Sequence, residues 1–187
     1  MRIIGGSLRG KKIFEPLDIL TRPLKNIVRE SIFNIIEHSK NEKINLKNAN
    51  VLDLFSGTGS FGLECLSRGA KKVFFCENHK NSIKILNKNI KSLGLVEQSR
   101  VIEKSAYDLN KSLFNLNNFE LIFLDPPFKD DNLNNLIETI SSLKIINDKS
   151  HIIIHRNKKI QEKISNKFII SREKIFGLSK ILFGKIN

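Results

Sequence analysis

Apolar residues change their spacing along the chain, and the spacing separates strands from helices. Residues 51–55, 72–77, 100–103 and 119–125 are apolar runs of strand length, and 151–155, 167–171 and 180–186 are strand-like as well. Between them the apolar positions shift to helical spacing. From Pro23, a residue suited to a first turn, Val28, Ile32, Ile35 and Ile36 fall on one face. Residues 59–69 read as a helix ended by Gly69. A third helix runs from about His79 to Leu93, with Ile83, Leu86 and Ile90 on one side and Gly94 as its stop. A fourth spans 131–144, with Leu133, Leu136, Ile137 and Ile140 inward. Residues 2–14 read as two short strands around glycine breaks, and the Asn/Lys-rich stretch 39–50 as a loop.

Strand and helix in alternation imply a parallel sheet with helices on both faces. Ligands in such sheets bind beyond the carboxyl ends of the strands, so that edge is where chemistry is expected. No repeat or hinge-like linker divides the 187 residues, which predicts a single domain over 1–187, with 1–22 as a basic hairpin extension and 23–187 as the core.

Charge adds a partner to this picture. The net charge is +13, and the excess is uneven. Residues 1–29 hold seven basic side chains against two acids, 156–174 again seven against two, whereas 51–130 hold eleven against nine. Lysine is inflated by the same bias that fills the chain with Ile and Asn, but clustering towards both ends, with arginine included, points to a polyanion. Apolar runs such as 121–124 fall far short of a membrane span, and the opening residues lack the apolar region of a signal peptide. A cytoplasmic protein is expected, with Cys65 and Cys76 as buried thiols rather than a disulfide.

Candidate chemistry gathers at two strand ends. At the first, Asp53-Leu54-Phe55-Ser56-Gly57-Thr58-Gly59-Ser60-Phe61-Gly62 crosses a strand–loop–helix junction. Gly57, Gly59 and Gly62 satisfy G-x-G-x-x-G, a weak signal for a dinucleotide site when alone. Asp53 changes its meaning. A carboxylate there is unwelcome beside a pyrophosphate and favours a cationic ligand, such as the ammonium and sulfonium of S-adenosylmethionine. Glu77 ends the next strand, placed to accept hydrogen bonds from ribose hydroxyls. Ser105 and Ala106, after the third strand, would flank an adenine.

The second strand end is Asp125-Pro126-Pro127-Phe128. Two prolines could merely stop a strand, but that leaves the bracketing acid and aromatic unexplained. An exocyclic base amine is a poor nucleophile because its lone pair is delocalised into the ring. Hydrogen bonds from the amine to a carboxylate and to a rigidly held carbonyl, that of Pro126, free the lone pair. Phe128 can stack on a base drawn out of its helix or loop. Such a displacement needs no metal. His151 and His155, four apart, bound an Ile-rich strand without acidic or cysteine neighbours in sequence, and are assigned to packing or the surface.

At these residues the chain resembles the RsmD family, bacterial methyltransferases that modify the N2 amino group of a guanine in 16S ribosomal RNA. Residues 53–59 look like its methyl-donor loop and 125–128 like its catalytic tetrad. Arg2-Ile3-Ile4-Gly5-Gly6 with Arg9-Gly10-Lys11-Lys12, Arg22-Pro23, and Val28-Arg29-Glu30-Ser31-Ile32-Phe33-Asn34 are similar to its opening segments, and Arg172-Glu173-Lys174 with Gly177 to its closing one. Leu24 and Lys25 stand where threonine is usual, His155 where an acid is frequent, and Ser179 near a usual threonine. The resemblance implies a Rossmann-like methyltransferase fold, a mostly parallel seven-stranded sheet with an antiparallel last strand and a small N-terminal β-hairpin. It implies S-adenosylmethionine as cofactor, held by Asp53, Phe55, Gly57, Thr58, Gly59, Glu77, Asn78, Ser105 and Ala106. Asp125, Pro126, Pro127 and Phe128 become the catalytic candidates. Arg2, Arg9, Lys11, Lys12, Arg22 and Arg29 become the RNA-binding candidates, with ribosomal RNA or a small-subunit assembly particle as partner and a monomeric enzyme. Competing readings are a DNA adenine-N6 methyltransferase and a non-catalytic RNA-binding assembly factor.

Overall fold

Side-chain burial on both faces is what the apolar runs require, and they assemble into one seven-stranded sheet in the order β3-β2-β1-β4-β5-β7-β6. The computed structural model describes residues 1–16, 24, 26–39, 44–114 and 118–187. The strands are β1 (Asn50–Leu54), β2 (Lys72–Cys76), β3 (Ser99–Ile102), β4 (Leu121–Leu124), β5 (His151–Asn157), β6 (Phe168–Phe176) and β7 (Ser179–Ile186). The helices are α1 (Asn26–His38), α2 (Ser60–Ser67), α3 (Lys80–Ser92) and α4 (Leu133–Ser142), with a 3₁₀ turn at Lys111–Phe114. Pro23, the expected helix start, lies outside the described residues.

β1 pairs in parallel with β2 on one side and β4 on the other. The chain moves outward from β1 through β2 to β3, then returns to β4, so the order reverses between β1 and β4. That switch point opens a crevice at their carboxyl ends. β7 inserts antiparallel between β5 and β6, as the resemblance implies.

One face of the sheet is covered by α1, α2 and α3 through Ile32, Phe33, Phe61, Leu86 and Ile90. The other is covered by α4 and the 3₁₀ turn through Leu136, Ile137, Ile140 and Phe114. Phe61 links helix layer to sheet, its ring 3.9 Å from that of Phe123 and 5.1 Å from that of Phe33. Among the described residues no helix is long and apolar enough to cross a membrane.

The expected N-terminal hairpin takes a different form. Arg2 and Lys12 make a single antiparallel bridge, and no strand extends from it. The reason lies in α2. Its buried Glu64 accepts hydrogen bonds from the backbone N–H groups of Ile4 (2.8 Å) and Gly5 (2.7 Å). Ser67 holds the next turn, its carbonyl accepting from the Ser7 N–H at 2.7 Å and its Oγ from the Leu8 N–H at 3.0 Å. A short pairing remains, with the Ile3 N–H donating to the Lys11 carbonyl at 3.0 Å and the Ile13 N–H to the Met1 carbonyl at 2.9 Å, whereas the amides of Ile4, Gly5, Ser7 and Leu8 are committed to the helix and stop it from lengthening. Gly6, at φ +74°, sits so close that a Cβ would fall 1.9 Å from the Ser67 carbonyl oxygen.

Candidate active site

After β1 the backbone turns sharply, with Phe55, Gly57 and Gly59 at φ of 60°, 55° and 84°. A left-handed phenylalanine costs about 1–3 kcal/mol and persists only where its surroundings over-determine it. They do so here. The Ser56 N–H donates to the Cys76 carbonyl at 3.0 Å, and Ser56 Oγ donates to the Asp53 carbonyl at 2.6 Å. The Gly57 N–H donates to Glu77 Oε2 at 2.7 Å, and Asn89 Nδ2 donates to the Thr58 carbonyl at 2.9 Å. The glycines differ in purpose. A Cβ on Gly59 would meet Leu86 at 2.4 Å, whereas Gly57 faces open space. One glycine lets α3 pack close; the other leaves its backbone bare towards the crevice.

Asp53 is buried on β1, and its Oδ2 accepts a hydrogen bond from the Gly62 N–H in the first turn of α2 at 3.0 Å. Burial holds its carboxyl well above the usual carboxylate range; the Gly62 bond opposes this, and the like charges of Asp125 and Glu77 reinforce it. A cation entering here would be welcomed by both. Glu77 Oε1 also accepts from the N–H groups of Asn78 (2.9 Å) and His79 (2.8 Å), so this carboxylate already pins the loop and the entry to α3. Three of its roughly four acceptor positions are engaged.

Beyond β4, the Asp130 N–H donates to the Pro127 carbonyl at 2.9 Å and closes the turn. Pro126 is buried, Pro127 exposed and Phe128 half-buried. Two neighbours on β5 fix this turn, and neither was assigned to it from the sequence. Arg156, 1% exposed, forms a two-pronged pair with Glu162 at 2.6 and 2.9 Å. Its remaining donors reach the carbonyls of Pro127 (3.2 Å) and Asp130 (2.7 Å). His155, expected to be a packing or surface residue, places Nδ1 2.7 Å from Asp125 Oδ1 and Nε2 2.9 Å from Ser179 Oγ.

The two strand ends meet. Asp53, Phe55, Gly57 and Thr58 line a cleft together with Phe123 and Asp125, roofed by Pro16 and Leu24. Glu77 joins it through Gly57. Gly59, Asn78, Ser105, Ala106 and the residues 126–128 are not part of that lining. Ser105 and Ala106 lie in a turn closed by the Asp108 N–H on the Ser105 carbonyl at 3.0 Å. Among the described residues no group of three or more His, Cys, Asp or Glu is arranged to hold a metal ion.

The RNA-binding candidates divide. Arg2, Arg9, Lys11 and Lys12 are exposed on the N-terminal loop, with Arg2 Nη1 also donating to the Gly10 carbonyl at 2.7 Å. Arg22 lies outside the described residues. Arg29 is a correction: it is 0% exposed, and its guanidinium donates to the backbone carbonyls of Arg2 and Ser60. Burial lowers its pKa, and the side chain fastens the N-terminus to α1 and α2 instead of reaching a phosphate. A helix pattern with Arg29 near Val28 could have signalled an inward position. Asn89 and Glu64 were also missed, since a buried polar residue leaves no mark in apolar spacing.

The family model described as conserved hypothetical protein 95 matches residues 1–185. The candidate rRNA methyltransferase YlbH of Bacillus subtilis is 29% identical over 99% of this chain and 98% of its own length. Ribosomal RNA small subunit methyltransferase D of Buchnera aphidicola subsp. Acyrthosiphon pisum is 30% identical over 92% of this chain and 86% of its own. Among solved structures, the candidate methyltransferase YhhF of Escherichia coli superposes with a TM-score of 0.80 at 27% identity, covering 100% of this chain and 98% of that one. The sheet and its crevice are those of a Rossmann-like methyltransferase.

Proposed function

The chain belongs to the conserved hypothetical protein 95 family, the RsmD group of rRNA methyltransferases, and from that premise we propose that it methylates the exocyclic N2 amino group of a guanine in small-subunit ribosomal RNA with S-adenosylmethionine as donor. The observation that carries the reading is the shared cleft, in which the glycine loop and Asp125 face one another. The residues present suit a sulfonium nucleoside. Gly57 leaves its backbone open to close approach, and the like charges of Asp125 and Glu77 near the buried Asp53 are ones that a cationic ligand would offset. Asp53 would take the amino-acid end, the 57–59 backbone the middle, and Glu77 the ribose through its remaining acceptor capacity.

When bound, the donor supplies an electrophilic methyl group on sulfur. The protein's part is alignment and charge. Asp125 accepts a hydrogen bond from the base amine and afterwards its proton, a step that asks for no strong base because the methylated amine is cationic. The Pro126 carbonyl takes the second N–H, and Phe128 stacks on the base. Exposed Lys11, Lys12, Arg9 and Arg2 hold the phosphates.

Labelled methyl groups should enter undermethylated small-subunit rRNA, and mass mapping should find them on guanine N2 and not on duplex DNA adenine. Asp125→Ala should retain donor binding by calorimetry and lose about 10²–10⁴ in turnover. Near-normal turnover by that variant would remove the assignment.

A further inference from the structure

Asp125, His155 and Ser179 form a continuous chain, with Oδ1 to Nδ1 at 2.7 Å and Nε2 to Oγ at 2.9 Å. The same three residue types, in the same order of contact, make the nucleophilic triad of many hydrolases. Here the chain is reversed with respect to access. The Asp125 side chain is 22% exposed and lines the cleft, whereas His155 and Ser179 are buried. The hydroxyl is the anchored end and the carboxylate the working end, so this is not a nucleophile with its base.

The ring does two things at once. Its Nδ1 contacts one Asp125 oxygen, which leaves Oδ2 as the atom free to turn towards the cleft. Its edge also meets Phe128, with ring centroids 5.7 Å apart and planes at 80°. One imidazole on a central strand therefore touches both the acid and the aromatic of the 125–128 turn. The Asp125 carboxylate, which only accepts when ionised, favours the tautomer that carries a proton on Nδ1, and the Ser179 hydroxyl is then able to donate to Nε2.

We propose that His155 is a positioning residue for methyl transfer, donating Nδ1–H to Asp125 so that the second carboxylate oxygen is aimed at the base amine. This rests on Asp125 acting as proposed above, and the experiment separates the two. Steady-state kinetics on undermethylated rRNA would compare wild type, Asp125→Asn, His155→Phe and His155→Asn. Phenylalanine fills the ring's volume without a donor; asparagine keeps a short N–H donor in the Nδ1 region. His155→Phe should lower kcat about 10- to 100-fold with KM for RNA and donor little changed, and His155→Asn should recover most of that loss. If Asp125→Asn is inactive while His155→Phe matches wild type, or His155→Asn is no better than His155→Phe, the inference fails and the function stands. If Asp125→Asn matches wild type, both fail. The ring ¹⁵N spectrum, assigned through the signals that His155→Asn removes, gives a readout without turnover. Nδ1 should be the protonated nitrogen in wild type, and Asp125→Asn should erode that preference. A wild-type ring protonated on Nε2 alone overturns the proposal.

Discussion

The two turns that face each other across the cleft are held by different means. The 53–59 loop takes its shape from backbone, with three residues in the left-handed region and its amides and carbonyls bonded within reach of the same two strands. The 125–130 turn has prolines instead of glycines, and its carbonyls are gripped from β5 by a buried guanidinium. A loop that must let a ligand approach its backbone needs glycine and tolerates strain. A turn that must present two side chains in fixed directions needs outside support. Support of that kind comes from residues about thirty positions away.

The largest expected effect tests the outside support. Arg156→Ala leaves Glu162 unpaired and frees two turn carbonyls, and it should cost about 3–5 kcal/mol in denaturant unfolding. A cost near that of an ordinary surface change would show that the prolines hold the turn alone. Next comes the loop. Gly59→Ala demands a left-handed alanine and a Cβ 2.4 Å from Leu86, so it should lose about 1–3 kcal/mol of stability and weaken donor binding, measured by thermal shift with and without S-adenosylmethionine.

Asp53→Asn sharpens the contrast from the other side. Burial raises the folded pKa of Asp53 above its unfolded value near about 3.9. The protonated form is thus favoured on folding, and stability is lost as pH rises from the unfolded value through the folded one. Asparagine keeps an acceptor for the Gly62 N–H but does not titrate. The donor-free variant should gain about 1–3 kcal/mol over wild type at neutral pH, with the gap closing in acid, while donor affinity collapses. Equal melting curves at both pH values would place the ionised carboxylate at no cost. The smallest effect lies outside both turns. Lys11→Glu with Lys12→Glu should weaken RNA binding and flatten the salt dependence by about 0.7–0.9 per lost phosphate contact. An unchanged slope would remove the N-terminal loop from the RNA-binding surface.

Much of the architecture was legible because its causes are local. Apolar runs and helical spacing located all seven strands and four helices to within a few residues at most ends, although β6 continues to Phe176 beyond the expected 171 because β7 pairs along it. Gly57 and Gly59 marked the loop, since only particular backbone angles explain them there. The extent of the N-terminal hairpin, a single antiparallel bridge between Arg2 and Lys12, was not legible for the opposite reason. Whether amides 4–8 bond to each other or to Glu64 and Ser67 depends on a helix sixty residues later.

By itself, then, the order of residues determined which segments are strands and helices, and which two strand ends, those that meet at the cleft, carry the acids, glycines and prolines. Periodicity and turn chemistry are properties of neighbouring positions, and a chain displays them without folding. The tertiary structure alone decided that Arg29 is an internal fastener, that Asp53 lies near the like charges of Asp125 and Glu77, and that His155 and Arg156 hold the 125–130 turn. Those assignments follow from burial and from hydrogen bonds between distant positions, which exist only once the sheet has brought β1, β4 and β5 side by side.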